Sequence, residues 1–317
     1  MSYALCECGV LAWRALFMER NSLVAASRGY LRAASPNLAA VRAKFAWRRN
    51  LLYLKSGKLW AVFFSRGAKK ILFSGKPDWT DNIKSGFRRL PHQIEFGSIT
   101  EDSYKRYDIV VPLSLPALED ARRYALRQKN AFPLPTAESV NLCDDKYEFN
   151  QALVKSGFGR YIPGIVQGLA LTPPYILKKR NSGGGTGCYI IRNCGDEEAQ
   201  LNRITDPKYF CQELIQGSTE FATHILFVDG RIVKALNIKY VFSSDTPIKG
   251  QNADFFTVIH RCQYLRLFAR ILRSIQFQGL CCVNYKVAKG VPFLLEINPR
   301  FGGSLAPYFF SFIRHLR

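Results

Sequence analysis

Residues 293–304, FLLEINPRFGGS, end an apolar run with a carboxylate and an amide two positions apart, followed by an arginine and two glycines. Side chains alternate along an extended strand, so Glu296 and Asn298 project from one face while Ile297 points into the opposite layer. Two hard oxygen donors side by side suit Mg²⁺, which takes carboxylate, amide and phosphate oxygens. Such an ion bridges phosphate groups and neutralises their charge during transfer. Arg300 brings a planar five-donor cation to the same place. The plainer alternative is a strand end whose surface carboxylate pairs with Arg300. Asn284 stands among apolar residues in CCVNYKV, and a buried amide there needs a partner, either a metal or an edge hydrogen bond.

A second stretch, YILKKRNSGGGTGCYII, holds Gly183, Gly184, Gly185 and Gly187. Without Cβ atoms the backbone can approach a ligand and turn successive N–H groups toward phosphate oxygens, although glycine runs also form plain flexible hairpins. No Gly-Lys-Ser/Thr follows, so it is not a Walker-type loop. The residues after it, CYII, are β-formers that open no helix, which excludes the dinucleotide fingerprint. The loop joins strand to strand, with Lys178 at the end of the incoming strand. No Ser, Cys or His nucleophile constellation accompanies these motifs, and positioning with electrostatics is what phosphoryl transfer requires.

The elements around these motifs read as alternating strands and helices. From Leu51 the runs LLYL, LWAVFF and KKILFS predict strands, and YDIVVPL predicts another that stops at Pro112. ALEDARRYALRQKN has helical spacing behind Pro116. Pro133 and Pro135 mark a linker, with a boundary near residue 140. DDKYEFNQALVKSG predicts a helix capped by Asp144 or Asp145 and closed by Gly157. PYILKK, CYIIR and YFCQELI predict strands, and FATHILFVDGRIVKALNIKY predicts a hairpin turning at Asp229-Gly230. TVIHRCQYLRLFARILRSI predicts one long amphipathic helix with Ile259, Leu267 and Ile271 in its apolar stripe. GLCCVNYKV and VPFLLEIN, joined at Lys289-Gly290, complete the set.

At 317 residues, 48% hydrophobic and 22% charged, the chain is an ordinary globular protein with room for two domains. No apolar run is long enough for a spanning helix. Nine cysteines without Cys-x-x-Cys pairs fit reduced thiols in a cytoplasmic setting. Four scattered histidines give no zinc spacing. The net charge of +21 suits phosphate-bearing molecules, anionic lipid or nucleic acid, but no basic block singles out nucleic acid. The first 50 residues carry eight Arg or Lys, eleven Ala and only Glu7 and Glu19 as acids. They read as an organelle-targeting segment or as basic helices of the folded protein.

Taken in order, DDKYEF, YILKKRNSGGGTG, QELIQGSTEF, a long helix before a strand, and LLEINPRFGGS resemble the ATP-grasp superfamily. The likeness is to its carbamoyl-phosphate synthase and carboxylate-amine ligase branch. It covers residues 141–317 clearly and 51–140 more weakly. It implies an α/β fold: an α+β ATP-grasp module at 141–317, preceded by a small α/β pre-ATP-grasp domain at 51–140, with 1–50 left as a basic segment that matches nothing in the family. It further implies that Lys146 and Lys178 contact ATP phosphates and that Gly183, Gly184 and Gly185 cover them. Gln212, Glu213, Leu214 and Ile215 would read the adenine edge, and Glu220 would hold the ribose hydroxyls. Glu296, Asn298 and Asn284 would bind Mg²⁺ or Mn²⁺, and Arg300 would steady the transferred phosphoryl group. Lys239 and Arg261 are candidates on the acceptor side.

Asn284 departs from the more usual Asp, keeping an oxygen donor while losing a charge. Lys179 stands where many members carry proline, which shapes the loop rather than the chemistry. The implied activity is ATP- and Mg²⁺-dependent ligation of small carboxylates and amines through an acyl phosphate. Asn284 motivates the alternative, a nucleotide-binding module with weakened catalysis that acts through partners.

Overall fold

The structure, a computed structural model, describes residues 37–63, 67–125, 132–166 and 172–316. Residues 1–36, most of the segment read as an organelle-targeting segment or as basic helices, lie outside them. The chain divides into a short unit ending at Phe45 and a main unit from Ala46 to Arg317. Helix α1, Asn37–Phe63, starts in the first unit and continues into the second.

The predicted strand LLYL, and LWAVFF as far as Phe63, are instead the second half of α1. Tyr53, Leu54 and Ala61 recur at helical spacing and pack against the main core. Tyr53 meets Tyr308 edge-on at 5.9 Å. Short apolar-aromatic runs look like strands in isolation; here the spacing across the whole segment prevails over their local β-propensity.

Three sheets follow. β1 (Lys70–Ser74), β2 (Gln93–Gly97) and β3 (Ile109–Val111) form a parallel sheet in the order β2-β1-β3. Helix α2, Pro77–Phe87, opened by proline at its first position, is the β1–β2 crossover, and α3, Leu115–Ala125, follows β3. Helices α4 (Ala137–Asp144) and α5 (Lys146–Leu153) then lead into the second sheet. This sheet is antiparallel, in the order β4-β7-β5-β6. It contains β4 (Ile165–Val166), β5 (Tyr175–Lys179), β6 (Cys188–Ile191) and β7 (Tyr209–Glu213), with the glycine loop joining β5 to β6.

The third sheet has the order β10-β9-β8-β11-β12. β8 (Thr219–Val228) turns at Asp229-Gly230 into β9 (Arg231–Phe242), and β11 (Gly279–Ala288) turns at Lys289-Gly290 into β12 (Val291–Asn298). All four turn residues have positive φ, as tight hairpins between right-twisted strands require. β8 is buried almost end to end because both faces are covered. Ala222 and Leu226 face the core shared with the parallel sheet, while Phe221 and Ile225 face a second core built with α5 and helix α6, Leu265–Ser274.

The long helix predicted over TVIHRCQYLRLFARILRSI is split. Phe255–His260 is strand β10, paired antiparallel to β9, and only α6 is helical. Ile259 therefore leaves the predicted helical stripe, which is made by Phe268, Ile271 and Leu272. The aromatic and β-branched half of the stretch pairs as a strand. α1 supports that edge, with Asn50 Nδ2 donating to the Thr257 carbonyl at 2.8 Å and Asn50 Oδ1 accepting from the Ile259 N–H at 2.9 Å. No helix among the described residues is long and apolar enough to cross a membrane.

Candidate active site

Asp145 closes the gap between α4 and α5. Its Oδ1 accepts from the N–H groups of Tyr147 and Glu148 at 3.1 and 3.2 Å, capping α5. Arg180, just beyond β5, grips both carboxylate oxygens, with Nη2 at 2.7 Å from Oδ2. Burial pushes the Asp145 pKa up, but the Arg180 bonds and the capped N–H groups outweigh it, and the net shift is down. A depressed carboxylate stabilises the fold above the ordinary Asp pKa of about 3.9 and loses that contribution as pH falls through the lower folded value. Asp145→Asn is accordingly expected to cost about 1–3 kcal/mol at neutral pH. In urea titrations across pH, the gap to wild type should close below about pH 4; a gap unchanged down to about pH 2 would rule out the charge as its source.

This capped turn delivers Lys146, which is only 6% exposed, next to the glycine loop. Its Nζ donates to the Ser182 carbonyl and lies 3.6 Å from Glu296 Oε2. Lys178, equally buried on β5, donates to Gln212 Oε1 at 2.7 Å, and burial pulls its pKa down. Gln212 in turn donates from Nε2 to the Pro163 carbonyl at 3.1 Å. Both lysines line a cavity of about 320 Å³ between the second and third sheets.

Across the cavity, β11 and β12 pair Asn284 with Glu296. Glu296 Oε1 accepts from Asn284 Nδ2 and from Asn298 Nδ2, both at 2.8 Å. Arg300 Nη2 donates to Asn298 Oδ1 at 3.3 Å. Burial favours the protonated form of Glu296, but Lys146, Asn298, Lys249 and Asn284 together hold its pKa below the usual value. The donor set, one ionised carboxylate and two amides, has the chemistry a divalent cation bound to phosphates asks for.

The predicted residues converge on this cavity. Lys146, Lys178, Gly184, Gly185, Glu213, Leu214, Ile215, Glu220, Asn284, Glu296, Asn298 and Arg300 all line it. Gln212 is fully buried behind Lys178, and Gly183 faces an adjoining cavity of about 360 Å³. The two cavities share Trp79, Lys146, Ser182, Glu296, Asn298 and Arg300. Lys239 and Arg261 line neither. Lys239 precedes Tyr240 on β9 and so faces the other side of the sheet, with Nζ 5.9 Å from the Phe221 ring centre.

Several lining residues escaped the sequence reading. Lys286 donates to the carbonyls of Ile215 and Gly217, both at 3.0 Å, and so fixes the segment after β7. Its position two residues after Asn284 on the same strand face was a readable signal. Trp79 arrives from α2 and Lys249 from the loop between β9 and β10, and no local pattern marks either. Lys249 Nζ lies 3.2 Å from Glu220 Oε1, 3.0 Å from Asn284 Oδ1 and 4.7 Å from the Tyr240 ring centre. In all, five basic side chains (Lys146, Lys178, Lys249, Lys286 and Arg300) face three acidic ones (Glu213, Glu220 and Glu296) in the wall.

The loop carrying Lys249 also meets the glycine loop. Gln251 Nε2 donates to the carbonyls of Gly185 and Cys188 at 2.7 and 3.0 Å. Gly250, at φ +101, packs so tightly on Gly184 that a Cβ there would run into the Gly184 carbonyl.

The ATP-grasp domain family matches residues 143–304, just over half of the chain, and the chain belongs to that family. No curated protein matches it. Its structure is similar to that of D-alanine–D-alanine ligase from Bacillus anthracis, with a TM-score of 0.53 and 14% identity over 76% of this chain and 89% of that one. It is also similar to an L-amino acid ligase from Bacillus licheniformis (0.53, 16%, 77% and 70%). Phosphoribosylamine–glycine ligase from Thermotoga maritima gives 0.54 and 14%, over 75% and 70%. At these identities the likeness is one of fold.

Proposed function

We propose that the chain is an ADP-forming, ATP-dependent carboxylate-amine ligase. The observation that carries this reading is the convergence of Lys146 and Lys178, under the glycine loop, on Glu296, Asn298 and Arg300 at the other end of one cavity. Lys146 and Lys178 bind the phosphates, with the N–H groups of Gly183 to Gly185 covering them. The backbone of Glu213, Leu214 and Ile215, in front of Gln212, reads the adenine edge, and Glu220 takes the ribose hydroxyls. Glu296 and Asn298, with Asn284 beside them, hold Mg²⁺ or Mn²⁺, which supplies charge neutralisation for phosphoryl transfer. The parallel sheet and its helices serve as the pre-ATP-grasp domain, within boundaries at 51–140 and 141–317.

The adjoining cavity, walled also by Lys76, Ser114, Asp144 and Asn181, takes the small carboxylate and the amine. A carboxylate oxygen there attacks the γ-phosphorus, the bond to ADP breaks, and Arg300 steadies the acyl phosphate. The amine then attacks the acyl carbon, phosphate leaves, and the surplus proton passes to solvent. Lys239 and Arg261 line neither cavity, and this reading gives them no role. A reducing, cytoplasmic setting suits the seven free cysteines among the described residues.

A second reading, a nucleotide-binding module with weakened catalysis that acts through partners, is favoured by the Lys249 contact to Asn284. The deciding experiment is a screen for ADP release with pooled amino acids, peptides and small carboxylic acids, followed by mass spectrometry of any adduct. The ligase reading expects release with at least one pool and an amide product. It fails if no pool gives release while Glu296→Ala binds ATP as well as the wild type.

A further inference from the structure

Lys249 belongs to none of the motifs that marked the site, yet it is fixed inside it. Its loop is tied to the segment before β8, where the Gly217 N–H donates to the Asp245 carbonyl at 2.7 Å, and braced within itself, where the Ile248 N–H donates to Asn252 Oδ1 at 2.7 Å. Gln251 and Gly250 anchor the same loop on the glycine loop. The ammonium therefore has a built position between Glu220 and Asn284.

That position bears on how many metal ions the site can take. Both amides donate from Nδ2 to Glu296, but Asn284 Oδ1, the atom that would ligate a metal, accepts from the Lys249 ammonium at 3.0 Å, whereas Asn298 Oδ1 meets the Arg300 guanidinium only at 3.3 Å. Glu296 is the one carboxylate beside the two amides, and the described residues contain no group of three or more His, Cys, Asp or Glu side chains able to hold a metal ion. The cavity wall carries a surplus of two positive charges. A fully ionised triphosphate with one divalent cation is a dianion and balances that surplus; a second divalent cation would leave it uncompensated and stand against the ammonium.

We propose that Lys249 takes the place of a second metal ion: the nucleotide is held with a single divalent cation at Glu296 and Asn298, and the ammonium supplies the other positive charge beside Asn284. This rests on the nucleotide site assigned above. Asn284 is then matched to its neighbour, since an Asp there would pair with Lys249 rather than recruit metal.

The test is a Mn²⁺ titration of the purified full chain with a non-hydrolysable ATP analogue, reading free Mn²⁺ by electron paramagnetic resonance and nucleotide by equilibrium dialysis. The expected ratio is one Mn²⁺ per bound nucleotide in the wild type, in Lys249→Arg and in Asn284→Asp. It should rise to two in the Lys249→Met/Asn284→Asp double variant. Two ions per nucleotide in the wild type, or a folded double variant that stays at one, overturns the proposal and leaves the nucleotide site standing. Absence of nucleotide binding in the wild type overturns both. If the double variant does not fold, the wild-type and Lys249→Arg ratios still decide.

Discussion

Glu296→Gln is expected to lower ADP release with the identified substrate pair by about 100- to 1000-fold, the usual cost of removing one preorganised electrostatic contact from a phosphoryl- or acyl-transfer site. Gln keeps the shape of the side chain but cannot satisfy its surroundings. In the native arrangement one oxygen accepts two amide N–H groups at 2.8 Å and the other faces Lys146 at 3.6 Å. A carboxamide must turn its NH₂ toward one set of donors, so on the proposed reading a divalent cation at this position would lose both charge and an oriented oxygen. Steady-state ADP release at saturating ATP, with circular dichroism to confirm the fold, checks this. Turnover within about threefold of wild type would remove Glu296 from the chemistry.

The second large effect is on acid stability and centres on His224. The ring is fully buried, its Nε2 sharing a 2.8 Å hydrogen bond with Ser304 Oγ and its Nδ1 having no hydrogen-bond partner among the described residues. Burial, helped by the nearby Lys249 charge, pushes its pKa down to about 3. The unfolded chain binds a proton at about pH 6.5 while the native ring stays neutral, so stability falls as pH drops from about 6.5 toward 3, by up to ~1.4 kcal/mol per pH unit. Gly302 lies against the ring: a Cβ there would be 2.6 Å from Cε1. Urea midpoints of wild type and His224→Gln across this range should show the wild-type curve losing more stability toward acid. The other histidines cancel in the difference. A pH-independent difference would mean that the native ring accepts the proton.

What the sequence disclosed depended on whether function was written into local pattern. The alternation in FLLEIN placed Glu296 and Asn298 on one face, and the glycine loop between two β-forming runs announced a strand-to-strand flap. The pair Asp144-Asp145 announced a helix cap, without deciding between them. Each of these depends only on residues within one or two elements. Lys249 and Trp79 gave no such signal, because a loop and a helix distant in sequence carry them into the cavity. α1 failed for a different reason: Asn50, Tyr53, Leu54 and Ala61 keep helical spacing, but the apolar-aromatic runs LLYL and LWAVFF were read from their β-forming composition over too short a window. The split of TVIHRCQYLRLFARILRSI shows the reverse error, in which a strong helical stripe in one half was extended over an edge strand.

The seam between Gly184 and Gly250 has a kinetic meaning. A ligand entering from the flap side must first separate the backbones of these loops and release Gln251 from the Gly185 and Cys188 carbonyls. Hydrogen bonds of that kind are worth about 0.5–1.5 kcal/mol each, so the opened form is a minority conformer. Capture through this route then proceeds at the encounter rate multiplied by that minority fraction, and at high nucleotide concentration the rate levels off at the speed of opening. The same seam would slow departure of a ligand held beneath it, so on the proposed reading residence time depends on a contact between loops as well as on the contacts to the nucleotide.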